Sequence, residues 1–289
     1  MKSLASDPDT LQACAAEAAR VASGLCWTDP ATRDSCAWYH GFWPTLRALG
    51  LVTTPHTHRE FYARTLAELI GHGHRRVLIS GSADINMLEQ VYAAFDVAGA
   101  APGITFVDRC PTPVALAEWY ATRTKRAVTA TASDILDYED EPFDLICTHS
   151  FMGYFTDEGR KALARKWASL LRPGGKVVTI NRIRPGASGV VCFTPKQARL
   201  FALRAQEAAS AQGLDAPAIF KAAARYAERF RIRPVGSLAN LRAVFEENGF
   251  AIDHIASDPD DGQRFLPETA PTTPDGAHYV RIIATRDAR

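Results

Sequence analysis

The stretch RRVLISGSADINMLEQV, residues 75–91, decides the fold of this chain. Its apolar run Val77, Leu78 and Ile79 is typical of a buried parallel strand, and the small residues that follow interrupt it. The pattern then predicts a helix that starts at Asp84. A strand, a small-residue turn and a helix N-terminus in this order let a ligand approach the backbone and its free amide hydrogens. We expect a nucleotide-like cofactor here, although an ordinary strand-to-helix corner shows the same order.

The spacing of glycines in this turn separates two kinds of cofactor. A dinucleotide fingerprint needs the pattern G-x-G-x-x-G, which places a pyrophosphate on the helix N-terminus. Here only Gly81 is present, and the carboxylate of Asp84 would repel a pyrophosphate. The same carboxylate suits a cationic ligand, such as the sulfonium and ammonium groups of S-adenosylmethionine (SAM).

The composition favours one large domain, or a domain with a cap. The chain has 289 residues, of which 47% are apolar, and a formal net charge of +1. This balance argues against a disordered chain and gives no reason to expect nucleic acid or an anionic membrane as a partner. The N-terminus has no apolar signal region, and no later segment approaches the length of a membrane span. We expect a soluble, cytoplasmic monomer or homodimer that acts on a small molecule.

The six cysteines are scattered along the chain and include no C-x-x-C pair. This spacing predicts no structural zinc site, and we expect no metal. Cys110 and Cys147 lie in or beside predicted strands, which favours reduced thiols that pack as small apolar groups.

Helices are predicted for most of the first seventy residues. The first is capped by Asp9, a second opens at Asp29 with a proline in its first turn, and a third begins at a Thr57–Glu60 capping box. The second helix carries a dense aromatic cluster, made of Trp38, Tyr39, His40, Phe42 and Trp43. The cluster predicts either a lid over the ligand or a helix buried against the next domain.

From Val77 onward, strand and helix patterns alternate, which is typical of a parallel sheet with right-handed crossovers. The predicted strands are residues 76–79, 104–108, 127–130, 143–148 and 176–180, and the helices between them are 85–95, 113–124 and 157–171. Two helices are predicted within 194–230 and one at 237–248, followed by strands at 250–256 and 279–285, with a loop at 257–276 between those strands. The pattern predicts a doubly wound α/β domain.

Ligands of such a sheet bind beyond the carboxyl ends of the strands, so polar residues there are the site candidates. Asp108, at the end of the second strand, can accept both hydroxyl hydrogens of a ribose, although it could also cap a helix or a turn. Asp134 and Ile135, after the third strand, could hold and cover an adenine ring.

Several motifs together resemble those of the class I SAM-dependent methyltransferases. VLISGSAD, ITFVD, SDILD, FDLICTHSFMGYF and LLRPGGKVVTI occur in the family's order and spacing, and GFAIDHI and YVRIIATR resemble its last two strands. The resemblance implies a Rossmann-like sheet of seven strands, with the last one antiparallel, that binds SAM along its carboxyl edge. The residues expected to contact SAM are Gly81, Ser82, Ala83, Asp84, Asp108, Arg109, Asp134, Ile135, Thr148, His149 and Ser150. The chain departs from the family at Ile79, where an acid is usual, and at Ala83 and Ile85, where glycines are usual.

The candidates for acid–base work are His149, Tyr154 and His40. An imidazole titrates near neutrality, so His149 could take a proton from a substrate hydroxyl or amine; alternatively, it could only pack against SAM or orient it. The candidates for contact with the substrate are Trp38, Tyr39, Trp43, Phe151 and Arg182. Arg182 and Arg184 follow the fifth strand, where a guanidinium could hold a carboxylate or phosphate.

The sequence therefore predicts a SAM-dependent methyltransferase that acts on an oxygen or nitrogen atom of a small molecule. We expect a helical N-terminal cap at residues 1–72 and a sheet domain at 73–289 with a helical insertion at about 186–235. Two alternatives stay open: an enzyme that consumes SAM by cyclisation or elimination, and a SAM-binding scaffold without activity.

Overall fold

Strand β1 (Arg76–Ser80), buried from Val77 to Ser80, lies inside the sheet of the computed structural model. The structure describes residues 7–29, 31–32, 34–258, 270–271 and 276–287. The other strands are β2 (Gly103–Asp108), β3 (Thr129–Ala132), β4 (Phe143–His149), β5 (Leu171–Ile183), β6 (Phe250–Ser257) and β7 (His278–Arg286). The strand order is β3-β2-β1-β4-β5-β7-β6, and β7 runs antiparallel to both of its neighbours. This confirms the predicted seven-stranded sheet with an antiparallel last strand.

The helices of the described residues pack around this sheet and at its carboxyl edge. They are α1 (Pro8–Leu25), α2 (Ala37–His40), α3 (Trp43–Ala48), α4 (Arg59–Gly71), α5 (Asn86–Ala98), α6 (Pro111–Thr124), α7 (Asp157–Leu170), α8 (Pro195–Ala211), α9 (Ala216–Arg229) and α10 (Leu238–Glu246). Two short 3-10 turns, Pro55–His58 and Phe151–Tyr154, follow irregular segments near the site. No helix in these ranges is both long enough and apolar enough to cross a membrane.

Both faces of the sheet are covered by apolar helix faces, as the continuous apolar strands require. Ile79 packs with Leu66 of α4 and Val91 of α5 on one face. On the other face, the fully buried Trp167 of α7 packs with Leu78 and donates its indole N–H to the Ser80 hydroxyl at 3.0 Å. Strand β1 is therefore buried from both sides, and its residues can reach solvent only at the strand ends.

Strand β5 is longer than the predicted 176–180. Leu171 already pairs with Phe143, and Ile183 still pairs with His278. The LLRPGG turn lies inside the strand because Gly174 adopts a left-handed φ of +76°, which a glycine reaches without strain. The extension beyond residue 180 brings Arg182 to the carboxyl edge of the sheet.

The N-terminal helices differ from their predicted boundaries. Asp7, not Asp9, caps α1 and accepts the N–H of Thr10 at 3.2 Å. Asp29 opens no helix, because its side chain accepts two N–H groups at 2.8 Å, from Ala31 and Thr32, and so closes a turn.

The capping interaction near residue 57 also lies earlier than predicted. The Thr57 hydroxyl accepts the N–H of Thr54 at 3.2 Å and closes the 3-10 turn, and α4 starts at Arg59. The Thr57 hydroxyl therefore bonds within the 3-10 turn that precedes α4 and does not cap α4 itself.

A separate apolar cluster joins the N-terminal helices to the helices that follow β5. Phe42 and Leu46, from the region of α3, pack with Phe201 and Ala205 of α8 and with Tyr226 of α9. These two segments, distant in sequence, thus form one layer at the carboxyl edge of the sheet. Most of the loop predicted at 257–276 lies outside the described residues.

Candidate functional site

A cavity of about 540 Å³ lies between the carboxyl edge of the sheet and the helical layer. Its floor includes residues at or just beyond the carboxyl ends of β1, β2 and β4, among them Gly81, Asp108 and His149. Its walls include Tyr39 from α2 and Tyr226 from α9. The cavity is therefore formed by elements that the sheet positions and by elements that the helical layer adds.

The turn after β1 needs glycine for two independent reasons. Gly81 has a φ of +71°, and a Cβ built there would overlap the ring of Phe151. Its N–H donates to the Val107 carbonyl at 2.9 Å, and the next N–H, of Ser82, donates to the Asp108 carboxylate at 3.1 Å. Predicted contact residues Ser82 and Ala83 both line the cavity.

Asp108 is held by the backbone through both of its carboxylate oxygens. One accepts the N–H of Ser82, and the other accepts the N–H of Cys110 at 2.8 Å. Burial raises the pKa of Asp108 to about 6, against the opposing effect of nearby His40. Each carboxylate oxygen can accept more than one hydrogen bond, so lone pairs remain for a ligand hydroxyl.

The carboxylate of Asp84 lines the cavity but does not present an unpaired charge to it. Arg47 Nη1 lies 3.2 Å from Asp84 Oδ2, and both side chains are buried. Arg47 also pairs with Glu89 at the start of α5. Arg47 is one cation between two carboxylates, and the interpretation that Asp84 suits a cationic ligand stays a prediction.

The turn after β4 holds two buried polar atoms that have no hydrogen-bond partner among the described residues: His149 Nε2 and Ser150 Oγ. Ser150 has a φ of +53°, a left-handed conformation that is uncommon for a residue with a side chain. Strain and orphaned polar atoms at a cavity floor together indicate a place for a ligand.

The His149 ring lies between two other rings, with centroids 5.4 Å from His58 and 5.9 Å from Tyr279. Burial lowers the pKa of His149 well below its usual value, and the nearby His58 lowers it further. His149 is therefore neutral at physiological pH, and a neutral ring carries one nitrogen that can accept a proton.

His58, whose ring packs against that of His149, contacts buried charged side chains on its other side. His58 Nδ1 lies 2.6 Å from Asp258 Oδ2, and Arg281 pairs with the other oxygen of the same carboxylate. Sequence reasoning missed these residues because they come from three distant segments, and none of them follows a parallel strand.

Aromatic side chains form much of the wall. The predicted substrate residues Trp38, Tyr39 and Trp43 all line the cavity, and Tyr39 stacks on Tyr226 at a centroid distance of 6.0 Å. The hydroxyl of Tyr39 lies 2.8 Å from that of Tyr154. Tyr226 was not predicted, since it lies inside a helix of the insertion.

Two arginines lie at the end of β5. Arg182 and Arg184 line the cavity, and each has an Nε atom that is buried without a partner in the described part of the chain. Burial, together with the neighbouring charge of Arg182, lowers the pKa of Arg184 to about 10, which leaves it protonated at neutral pH. The guanidinium of Arg182 also lies over the Tyr279 ring, 5.4 Å from its centroid.

The structure brings together most, but not all, of the predicted site residues. His40, Ser150, Phe151 and Tyr154 line the cavity along with the residues described above. Four others do not line it: Arg109 stacks on Trp27, the Asp134 carboxylate accepts the Leu136 N–H, Ile135 is buried in the core, and the Thr148 carbonyl accepts the Tyr62 hydroxyl. Contact of these four with SAM stays a prediction.

A family model described as a methyltransferase domain matches residues 90–179. Those residues run from α5 through the turn after β4 and into β5. Among proteins with curated functions, none matches the sequence.

Solved structures with a similar fold include several methyltransferases. A protein from Galdieria sulphuraria, assigned as a sarcosine dimethylglycine methyltransferase, is 12% identical with a TM-score of 0.50, over 96% of this chain and 98% of its own. Magnesium protoporphyrin IX methyltransferase from Synechocystis PCC 6803, solved with bound S-adenosyl-L-homocysteine (SAH), is 15% identical with a TM-score of 0.48, over 80% of this chain and 84% of its own. The N-methyltransferase NodS from Bradyrhizobium japonicum WM9, in complex with SAH, is 16% identical with a TM-score of 0.47, over 80% of this chain and 87% of its own. At these identities the likeness concerns the fold.

Proposed function

We propose that the chain is a class I SAM-dependent methyltransferase that methylates an oxygen or nitrogen atom of a planar, anionic small molecule, as the methyltransferase-domain match over residues 90–179 supports. One observation carries this proposal: a single cavity combines an aromatic wall, the buried Nε2 atom of His149 and two arginines. The aromatic wall suits a planar ring, and the arginines suit a carboxylate or phosphate on it.

The residues at the floor of the cavity fit the cofactor. The turn at Gly81 lines the cavity, and Asp108 retains lone pairs for the ribose hydroxyls. The unpartnered Ser150 hydroxyl offers a further hydrogen bond. When bound, SAM supplies an electrophilic methyl group on a positively charged sulfur.

His149 is proposed to accept the proton that the acceptor loses. When an acceptor hydroxyl or amine gains a methyl group, its O–H or N–H proton must leave, and the neutral ring of His149 can take it at Nε2. The lowered pKa of His149 keeps the ring in this proton-accepting form at neutral pH. His58 and Asp258 are proposed to act as positioning residues, since their contact fixes the ring on which His149 packs.

The helical layer, formed from parts of the expected cap at residues 1–72 and insertion at about 186–235, is proposed to act as a cap, whereas α4 packs on a face of the sheet. The support is the shared apolar cluster of Phe42, Leu46, Phe201 and Tyr226, which closes the cavity on the side away from the sheet. An enclosed site excludes water and aligns the acceptor with the methyl carbon, which supplies much of the catalysis in a transfer of this type.

The anionic acceptor can be tested with matched pairs of compounds. Aromatic hydroxy- and amino-acids and their neutral amides are incubated with SAM, and the products are identified by mass spectrometry. We expect the acids to be methylated with the higher kcat/KM, and Arg182→Gln to reduce this preference while leaving the reaction with the amides unchanged. An equal or greater rate with the amides would contradict the role of the arginines.

The products also distinguish the two alternatives. Methylthioadenosine without a methylated product would indicate cyclisation or elimination, and the departures from the family at Ala83 and Ile85 motivate that control. No consumption of SAM with any acceptor would favour a scaffold.

A further inference from the structure

Four metal-ligating side chains from three separate segments meet beside the cavity. They are Cys26 at the end of α1, Cys36 and His40 at α2, and Cys110 in the turn between β2 and α6. Their ligand atoms all lie within 4.8 Å of one another. The cysteine spacing predicts no zinc site because it contains no C-x-x-C pair, whereas Cys36 and His40 are four residues apart and the fold brings the other two ligands to them.

The spacing of these atoms matches a tetrahedral metal site. Cys110 Sγ lies 3.6 Å from both Cys36 Sγ and Cys26 Sγ, and Cys26 Sγ lies 3.7 Å from His40 Nδ1. In a tetrahedral zinc site with Zn–S bonds of about 2.3 Å, neighbouring sulfur atoms are about 3.8 Å apart. Three of the six distances among the four atoms are therefore close to this value, and the other three are at most 4.8 Å.

A buried hydroxyl lies against one of the sulfur atoms of the cluster. The hydroxyl of Thr112, a fully buried side chain, lies 3.1 Å from Cys26 Sγ. A hydroxyl close to a ligating sulfur is the kind of outer contact that orients metal ligands.

We propose that these four residues bind one zinc ion as a structural Cys3His site. Three thiolates and an imidazole complete a tetrahedral shell and leave no open position for a substrate, as in structural rather than catalytic zinc sites. The ion would join α1 and α2 to the turn that follows Asp108 by two residues. It would thereby fix the N-terminal helices against the cofactor turn, and His40 would serve as a ligand, not as an acid or base.

A disulfide explains the cluster less well than a metal. A disulfide bond is about 2.05 Å long and joins two sulfur atoms, whereas Cys110 has two equally distant sulfur neighbours and the histidine also faces the group. Oxidation would leave one thiol and the imidazole without a role.

The test uses the full chain, produced in zinc-supplemented medium, and needs no variant. Metal analysis by mass spectrometry is expected to find about one zinc ion per chain. Iodoacetamide labelling is then read by peptide mapping before and after zinc is removed with a chelator. Cys26, Cys36 and Cys110 should be protected in the zinc form and labelled after its removal, whereas the exposed Cys192 should be labelled in both forms. Added Co²⁺ should then give the absorption bands of tetrahedral cobalt–thiolate.

A matched pair of variants separates the site from general metal binding. Cys110→Ser should lose zinc and its midpoint of thermal unfolding should no longer respond to the chelator, whereas Cys192→Ser should behave as the wild type. If Cys110→Ser does not fold, the labelling pattern of the wild-type chain still decides. Absence of zinc with free labelling of Cys36, or isolation of a Cys26–Cys110 or Cys36–Cys110 disulfide under reducing purification, would overturn the proposal.

Discussion

The hydroxyl oxygens of Tyr39 and Tyr154 lie 2.8 Å apart and join the N-terminal helix α2 to the 3-10 turn that follows β4. Tyr39 belongs to the helical layer, and Tyr154 lies five residues beyond His149 on the floor of the cavity. This hydrogen bond is thus a direct link between the helical layer and the turn that carries His149.

Removal of that link should affect turnover more than stability. Tyr39→Phe removes one hydrogen bond and should lower the free energy of unfolding by only about 0.5–1.5 kcal/mol. We expect a reduced kcat/KM for the acceptor with little change in SAH affinity, measured by steady-state kinetics and calorimetry. Tyr138→Phe, which removes a hydroxyl that bonds Asp140 on the surface, is the control. Equal kinetic constants for the two variants would show that the Tyr39 hydroxyl has no role in turnover.

His149→Gln should lower kcat by roughly 10²–10⁴-fold, the usual contribution of a general base. SAH affinity, measured by calorimetry, should change little, because the side chain is proposed to act on the acceptor. His72→Gln, at an exposed histidine, controls for the substitution itself. Weaker SAH binding with an unchanged kcat at saturating SAM would instead place His149 in the cofactor pocket and turn the search for a base to Tyr154.

The sequence predicted the elements of the fold whose signal is local. It did not predict the parts of the site that depend on contacts between distant segments. The apolar runs around Val77 and Ile146 specify buried strands by themselves, and their order along the chain restricts the sheet topology. Asp29 misled the helix prediction because an aspartate followed by a proline opens a turn as readily as a helix.

Long-range contacts account for the rest of what the sequence did not reveal. The partner of Asp84 is Arg47, from a separate helix, and Tyr226 reaches the cavity from the insertion. The four-residue cluster around Cys110 is assembled from three segments. Spacing rules consider neighbours in sequence, so they cannot find groups that only tertiary packing brings together.

Two glycines with similar backbones allow a controlled test of the cofactor turn. Gly81 and Gly99 have φ values of +71° and +60°, but a Cβ at Gly99 would meet nothing within 4 Å. Gly99→Ala should therefore cost only the backbone strain, on the order of 1–3 kcal/mol in the free energy of unfolding. Gly81→Ala should cost more and should also weaken SAH binding, because the new methyl group overlaps Phe151.

The double variant Gly81→Ala/Phe151→Ala makes this test specific. It removes the ring that the Cβ introduced at position 81 would overlap, so part of the lost stability should return. Chemical denaturation and calorimetry measure both effects. Identical losses at Gly81 and Gly99 would mean that the contact with Phe151 has no energetic consequence.

The stability of the protein should depend on the protonation of His149. Its pKa is lowered in the folded state, whereas an unfolded chain binds a proton as the pH falls through about 6.5. The unfolded state then holds more protons than the folded state, so the free energy of unfolding falls below that pH. The titratable and charged groups around the ring are His58, Tyr62 and Tyr279, with Asp258, Arg281 and Arg182 behind them.

His149→Gln isolates this contribution, since the other groups remain. Chemical denaturation at a series of pH values between neutrality and about pH 5 should give a shallower loss of stability for the variant than for the wild type. Parallel curves would show that the pKa of His149 is the same in the folded and unfolded states, contrary to the lowered pKa on which its role as a base rests.

Transfer of a labelled methyl group tests the central proposal most directly. The full chain is incubated with SAM that carries a trideuterated methyl group and with an aromatic hydroxy- or amino-acid acceptor, and both products are quantified by mass spectrometry. We predict that the acceptor gains one CD3 group at oxygen or nitrogen for each SAH formed. Release of methylthioadenosine without a labelled acceptor, or unchanged SAM with every acceptor of this class, would contradict the account.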